Sequence, residues 1–182
     1  NETGSTTYAG LFTGSGTIVK YNTGNLQLTN VSTGFSGDVV VNTGLFYLSG
    51  LGALNATSYT LNHASLMIDN NGTTSLGTHI LDTASITLNS ADGSWSGETR
   101  PSGLAIRRDQ ASTQNETVGV ITLQSGASYA RLDASVTGAI AGIVADDIVR
   151  NNNATLDVRG TNMGATANRR ALLRIGTAAN QT

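Results

Sequence analysis

A pattern that returns every twenty residues constrains this chain more than any other feature. At this spacing, residues 17–96 contain four related segments: TIVKYNTGNLQLTN, GDVVVNTGLFYLSG, TSYTLNHASLMIDN and GTHILDTASITLNS. Two apolar columns share one phase across the segments, namely Leu26, Phe46, Leu66 and Ile86, and Leu28, Leu48, Ile68 and Leu88. Self-similarity at a fixed period indicates a repeat architecture in which neighbouring copies stack.

Each twenty-residue unit is predicted to hold two short strands. Its third and fifth positions are mostly apolar, and so are its tenth and twelfth, which is the alternation of a strand with one buried face. Asn, Gly and similar residues lie between the two strands, and they tolerate the left-handed backbone of a sharp corner. The third and fifth positions are Val19 and Tyr21, Val39 and Val41, Tyr59 and Leu61, and His79 and Leu81.

The two strands of a unit could instead pair as an antiparallel hairpin across Asn-Thr-Gly. The repeat favours parallel stacking, because successive turns of a coil place like residues side by side at a spacing of twenty. The sequence therefore predicts an all-β fold, a parallel β-helix (β-solenoid) with about 20 residues per turn. The loops that follow the second strands are expected to supply a looser third side through one bulky residue each: Phe35, Leu54, Leu76 and Trp95.

The sixth position of the units predicts a structural ladder at the corner. It reads Asn22, Asn42, Asn62 and Asp82. Side-chain amides that stack at roughly 4.8 Å can hydrogen-bond to one another. An ionised carboxylate only accepts hydrogen bonds, so Asp82 would end the chain of amides. The alternative is that these four are exposed turn residues.

Residues 1–182 are expected to form one domain. Residues 1–16 are a predicted lead-in to the regular repeats of 17–96, and 177–182 a predicted tail. Residues 97–117 contain the only proline and a charge cluster, and we expect an excursion loop there. Irregular repeats are expected over 118–176. Strands in this second half are predicted at 104–106, 118–123, 128–132, 139–144, 147–149, 154–158 and 171–175.

The composition excludes several functional classes. A net charge of −2 is unlike the basic surface of a nucleic-acid-binding protein. The longest apolar runs fall short of the roughly 18 residues of a membrane-spanning helix, and the absence of cysteine excludes disulfides and cysteine-based zinc sites. No cofactor is predicted. The chain begins at Asn1 without a methionine, so we expect a processed product or a segment of a longer protein.

Several stretches resemble a known family. GLFTGSGTIVK at 10–20, GNLQL at 24–28 and FSGDVVVNTGLFYLSG at 35–50 resemble the autotransporter-associated β-strand repeat, and ETVGVITLQSGAS at 116–128 is similar to a second segment common in such proteins. The resemblance implies a right-handed parallel β-helix in a secreted or surface-displayed bacterial protein associated with the outer membrane. Such chains often serve as stalks or adhesive passengers.

Parallel β-helices also include polysaccharide lyases and hydrolases, whose catalysis needs carboxylates, or an arginine beside acids, on one outer face. The alternative interpretation, which we prefer, is that the charged side chains of the second half are only solvated and not catalytic. His63 and His79 lie sixteen residues apart without a further ligand at metal-site spacing, so no metal site is predicted. The catalytic candidates are Asp133, Asp146, Asp147, Asp157, and the group Arg107, Arg108 and Asp109.

Tyr47 and Met67 are predicted to be neighbours on the outer face, between Gln27 and Thr87, where another molecule or a glycan could dock. We expect a non-catalytic structural or adhesive module that associates with further copies or with further repeats of a longer chain. The alternative is a carbohydrate-binding or polysaccharide-degrading β-helix that uses the charged half after Arg100.

Overall fold

The computed structural model describes residues 4–70, 76–90, 103–108, 115–164 and 169–176. Within these ranges the chain forms sixteen β-strands, and it contains no helix long and apolar enough to cross a membrane. The first nine strands are β1 (Thr6–Tyr8), β2 (Thr17–Lys20), β3 (Asn25–Leu28), β4 (Val31–Ser32), β5 (Asp38–Val41), β6 (Gly44–Ser49), β7 (Ala53–Leu54), β8 (Ser58–Asn62) and β9 (Ala64–Asn70). The others are β10 (Ser85–Asn89), β11 (Gly103–Arg108), β12 (Glu116–Ser125), β13 (Ala127–Ala134), β14 (Ala139–Arg150), β15 (Thr155–Thr161) and β16 (Arg169–Ile175).

The strands form parallel sheets, which confirms the all-β prediction. Sheet I has the strand order β1-β3-β6-β9-β11-β13-β15, and sheet II has the order β16-β14-β12-β10-β8-β5-β2. A short third sheet pairs β4 with β7. The strands on either side of 22–24, β2 and β3, belong to different large sheets, so the hairpin alternative is wrong at this corner.

The predicted stacking of the apolar columns is confirmed for the first three units. Leu26 pairs with Phe46, and Phe46 pairs with Leu66, each twenty positions further along the chain. Their side chains lie in one hydrophobic core with those of β5 and β8. Because the side-chain period of a strand is two, this register places Phe46 and Leu48 of β6 on the same buried face as Leu66 and Ile68 of β9.

The first unit is one residue out of phase in sheet II. Ile18 pairs with Val39, a spacing of 21, so Ile18 and Lys20 face inward. Val19 is 43% exposed and Tyr21 is 72% exposed, and their predicted burial is therefore wrong. A shift of one residue moves every side chain of a strand to the opposite face.

The fourth unit departs from the period. Ser85 of β10 pairs with Ser58, 27 positions earlier, whereas Ser58 itself pairs with Asp38 at a spacing of 20. Ile86 consequently lies beside Tyr59 in sheet II, and the prediction that it continues the Leu66 column is wrong. That column continues in β11, where Leu104 pairs with Leu66.

The predicted third side exists over part of the chain. Leu54 of β7 is buried and forms a parallel bridge with Ile80, and Phe35 is also buried. Leu76 is half-buried, and Trp95 lies outside the described residues.

The second half continues both large sheets. The strands predicted there are confirmed, except that the two predicted at 139–144 and 147–149 form one strand, β14. The strand predicted inside the expected excursion is β11, which lies between β9 and β13 in sheet I. The alternation of buried residues shifts by one position within β12. Glu116 and Val118 are buried at the start of the strand, whereas Ile121 and Leu123 are buried further along it.

Candidate functional site

One face of sheet I points away from the core and carries aromatic and charged side chains. Its central column pairs Tyr47 with Met67, then Ala105, Arg131 and Arg159. We call this surface the outer face of sheet I. Its side chains include Tyr47, Met67, Asp69, Arg107, Tyr129, Arg131, Asp133, Asp157 and Arg159.

Tyr47, Asp69 and Arg107 form a hydrogen-bonded network on this face. The Tyr47 hydroxyl donates to Asp69 Oδ2, and Arg107 donates through Nε to Asp69 Oδ1 at 3.0 Å and through Nη2 to Oδ2. Asp69 is fully buried, whereas the Arg107 side chain is 41% exposed. Burial, and then the hydrogen bond to Asp69, raise the pKa of Tyr47 to about 12, so the hydroxyl stays a donor at neutral pH.

Two further arginines lie on the same face, and each has a carboxylate beside it. Arg131 Nε is 2.6 Å from Asp133 Oδ2, and Arg159 Nε is 3.7 Å from Asp157 Oδ2. The Arg159 guanidinium also lies over the Tyr129 ring, 4.9 Å from its centroid. Tyr129 is buried, so the accessible groups here are the guanidinium groups of Arg131 and Arg159, which can contact an anionic group or another sheet.

The predicted contact pair is neighbouring, as expected, but one flank differs. Gln27 pairs with Tyr47 as predicted, whereas the position beyond Met67 is Ala105. Thr87 belongs to β10 and pairs with Thr60 in sheet II, so its predicted place is wrong. Docking at Tyr47 and Met67 remains a prediction.

A side-chain ladder is present, but only Asn42 and Asn62 of its four predicted members belong to it. Asn62 donates from Nδ2 to Asn42 Oδ1 at 2.8 Å, and Asn89 donates from Nδ2 to Asn62 Oδ1 at 3.0 Å. Ser125 then donates to Asn89 Oδ1 at 2.6 Å. The predicted fourth member, Asp82, lies exposed in the turn before β10, because the longer spacing brings Asn89 to this position. The predicted first member, Asn22, makes no side-chain hydrogen bond to Asn42, so its place in the ladder is wrong; its backbone carbonyl accepts a hydrogen bond from Lys20 Nζ.

The predicted catalytic candidates are divided among separate places. Asp133, Asp157 and Arg107 lie on the outer face of sheet I, whereas Arg108 is buried in the interior. Asp109 lies outside the described residues. Asp146 and Asp147 belong to β14 in sheet II; both are exposed, and Asp147 Oδ1 accepts a hydrogen bond from the Ile148 amide.

The two histidines occupy different environments, and one belongs to a cluster that sequence reasoning missed. His63 lies at the corner between β8 and β9 with a φ of 51°. His79 is completely buried beside Glu116 and Arg108. No group of three or more potential metal ligands of the His, Cys, Asp and Glu types occurs in the described part of the chain.

The N-terminal end of the two sheets is open. No described strand pairs with the outer edge of β2, and Val19 is exposed there together with Tyr21, Tyr8 and Leu11. A cavity of about 380 Å³ opens at this end. Its lining includes the inward-facing Lys20, whose Nζ donates to Thr43 O at 2.8 Å and whose pKa is lowered by burial.

The other end is partly covered. Ala171 of β16 donates to Asn162 O at 3.1 Å and accepts a hydrogen bond from the Gly164 amide at 3.4 Å, so 162–164 occupy part of this edge. Arg170 and Arg174 also lie on β16. Charged side chains on an edge strand discourage pairing with another chain, so the two ends are not equivalent.

Comparisons with protein-family models, curated proteins and solved structures found no match to this chain.

Proposed function

We propose that the chain is a segment of a right-handed parallel β-helix with about 20 residues per turn in its first half, and that it is a non-catalytic structural or adhesive module. Support for this architecture comes from the path of the chain, which alternates between sheets I and II and returns to each sheet beside its previous strand. Crossovers between parallel strands of one sheet are right-handed in about 98% of cases.

The observation that carries the structural role is the open N-terminal edge at β2. Gly16 and Lys20 accept hydrogen bonds from the Asp38 and Asn42 amides through their carbonyls. Backbone groups alternate in direction along a parallel strand, so the N–H and C=O of Val19 face away from β5. Unpaired donors and acceptors beside exposed apolar side chains favour the addition of another strand. The strand would come from a second copy or from further repeats of a longer chain.

The setting we propose is the bacterial cell surface or the extracellular space. It rests on the resemblance of 10–50 and 116–128 to the autotransporter-associated β-strand repeat. The absence of cysteine is consistent with a chain that is exported unfolded and needs no oxidative folding.

Sedimentation velocity across a range of concentrations tests the open edge. The wild-type chain is expected to sediment faster as its concentration rises. Val19→Pro removes the N–H that faces the open side, and proline is tolerated on edge strands, so this variant is expected to stay monomeric. Val19→Thr keeps the N–H and the branched shape and is the matched control. A wild-type chain that remains monomeric at every concentration contradicts association of this chain with itself.

A second candidate function, glycan binding, is favoured by the Arg159 guanidinium stacked over Tyr129 and by the adjacent Arg131. The side chains of Arg131 and Arg159 are 58% and 46% exposed, and guanidinium groups bind carboxylates of acidic polysaccharides. Calorimetric titration with an acidic polysaccharide tests this function, with Arg159→Gln as the variant and the exposed Arg150→Gln of sheet II as the control. Release of reducing or unsaturated ends that depends on Arg107 or Asp146 would instead indicate the enzymatic form of this alternative.

A further inference from the structure

Three ionisable side chains meet in the interior, and each comes from a different segment. His79 lies in the stretch that bridges to β7, Arg108 ends β11, and Glu116 begins β12. All three side chains have no exposed surface. Charged residues are almost never fully buried unless they are paired, so each polar atom of this cluster is expected to have a partner.

Glu116 uses one of its carboxylate oxygens for the backbone. Oε1 accepts hydrogen bonds from the amides of His79 and Ile80, both at 2.9 Å. The carboxylate therefore satisfies two consecutive backbone donors next to the bridge between Leu54 and Ile80. The other oxygen, Oε2, faces the rest of the cluster.

Hydrogen-bond donors exceed acceptors in the rest of the cluster. Oε2 lies 3.4 Å from His79 Nδ1 and 3.9 Å from Arg108 Nη2, and it has no hydrogen-bond partner. Charge-assisted N–H···O bonds are typically about 2.7–2.9 Å long, so the 3.9 Å contact is an ion pair without a hydrogen bond. All three guanidinium nitrogens of Arg108 and both ring nitrogens of His79 are buried without a hydrogen-bond partner.

We propose that the interior beside Arg108 and His79 is a binding site for a small hydrogen-bond acceptor, either a water molecule or a halide ion. Buried polar groups in proteins are nearly always hydrogen-bonded, and those without a protein partner commonly bond to a buried water or ion. An acceptor at this position satisfies the guanidinium donors. A water molecule can in addition donate to Glu116 Oε2.

A water molecule and a halide ion differ in their effect on the net charge of the cluster. Arg108 and Glu116 carry opposite charges, so a water molecule leaves the charge of the cluster unchanged. A halide adds one negative charge beside the guanidinium of Arg108. Glu116 also acts on Tyr59, whose hydroxyl donates to Leu54 O at 2.7 Å and whose pKa is raised by burial and by the charge of Glu116. Burial lowers the pKa of Arg108, while the charge of Glu116 opposes this shift.

A high-resolution crystal structure of the wild-type chain, with a second crystal soaked in sodium bromide, tests the site directly. A peak within hydrogen-bond distance of Arg108 and His79 is expected. An anomalous bromide signal there identifies a halide site, and a peak without that signal identifies a water site. If Arg108 instead hydrogen-bonds directly to Glu116, and no electron density lies between these two residues and His79, the proposal is wrong.

Magnetic relaxation dispersion of water nuclei gives a second test in solution. If water fills the site, Arg108→Met is expected to lose at least one long-lived water from the dispersion amplitude, because methionine has no N–H donor. Arg150→Met, which replaces an exposed arginine of β14, is the matched control and is expected to keep the amplitude. If the bromide crystals show water and the amplitude of folded Arg108→Met equals that of the wild type, the water is not held by Arg108 and the proposal fails.

Discussion

Replacing Asn62 by alanine is expected to lower the free energy of unfolding by about 1–2 kcal/mol. Asn62 is the middle of the amide ladder, since it donates to Asn42 and accepts from Asn89. A side-chain hydrogen bond contributes about 0.5–1.5 kcal/mol net, so two bonds contribute about 1–3 kcal/mol. All three amides are half-buried, and water can partly replace the lost partner, which places the loss in the lower half of that range.

Urea unfolding followed by far-UV circular dichroism measures this loss. With an m-value of about 2 kcal/mol/M, the midpoint is expected to fall by about 0.5–1 M. Asn89→Ala should cost a similar amount, because Asn89 also makes two bonds in the ladder. Asp82→Ala is the control: Asp82 is exposed outside the ladder, so its replacement should change stability by less than about 0.5 kcal/mol.

Two results would refute this reasoning. An unchanged midpoint for Asn62→Ala means that the ladder contributes no net stability. A larger loss for Asp82→Ala than for Asn89→Ala means that the strict twenty-residue alignment, with Asp82 as fourth member, describes the corner better than the 27-residue spacing does.

Leu61→Ala is expected to cost about 2–5 kcal/mol in urea unfolding, because Leu61 is fully buried, whereas the exposed Val149→Ala should cost less than about 0.5 kcal/mol. Stability that depends on protonated Tyr47 is expected to be complete below pH of about 10 and lost as pH rises towards about 12; Tyr47→Phe should lose this dependence in alkaline unfolding curves. Gly44 has a φ of 74°, and an added Cβ would overlap two backbone carbonyls, so Gly44→Ala should lower the melting temperature, while Gly16→Ala, which has open space, should not.

The sequence was sufficient for the all-β class with parallel strands and for the first three units of sheet I. Leu26, Phe46 and Leu66 repeat both in spacing and in type, and strands with one buried face have a strongly specified register. The same rule explains the error at Val19 and Tyr21. One extra residue between Lys20 and Val41 moves the side chains of β2 to the opposite face of sheet II. Ile18 lies on one face of β2 and Val19 on the other, so either face fits the apolar pattern.

The sequence contains evidence for the true pairing of the fourth unit, but an alignment at a fixed period of twenty does not reveal it. Ser58-Tyr-Thr-Leu-Asn62 and Ser85-Ile-Thr-Leu-Asn89 agree at four of five positions, and the structure pairs these two strands residue by residue. A comparison of strand sequences without a fixed spacing would have found this pair and the ladder position of Asn89. Each unit contains two similar strands, so a cut every twenty residues can match a strand of one sheet to a strand of the other.

The interior cluster could not be predicted in the same way. His79, Arg108 and Glu116 lie in segments where the pair spacing has already changed, and their residue types normally indicate surface. Only the pairing of β11 with β9 and β13 shows that Arg108 follows Leu104 and Ile106 on the inward face. Burial of such a group is decided by its tertiary neighbours, because local sequence patterns contain no record of a partner more than thirty positions away.

The contrast between constant strands and variable connections has an energetic cause. Doubling the length of a flexible connection costs only about 0.6 kcal/mol, whereas removing one buried leucine from a strand costs about 2–5 kcal/mol. Stability therefore depends more on the pairs between strands than on the length of the chain between them. Neighbouring strands in sheet II place Tyr59 beside Ile86 and Leu61 beside Leu88, although this spacing is seven residues longer than the one between β5 and β8. In a chain of this kind, side-chain ladders and interior clusters should be predicted from the pairing of strands and not from a fixed repeat period.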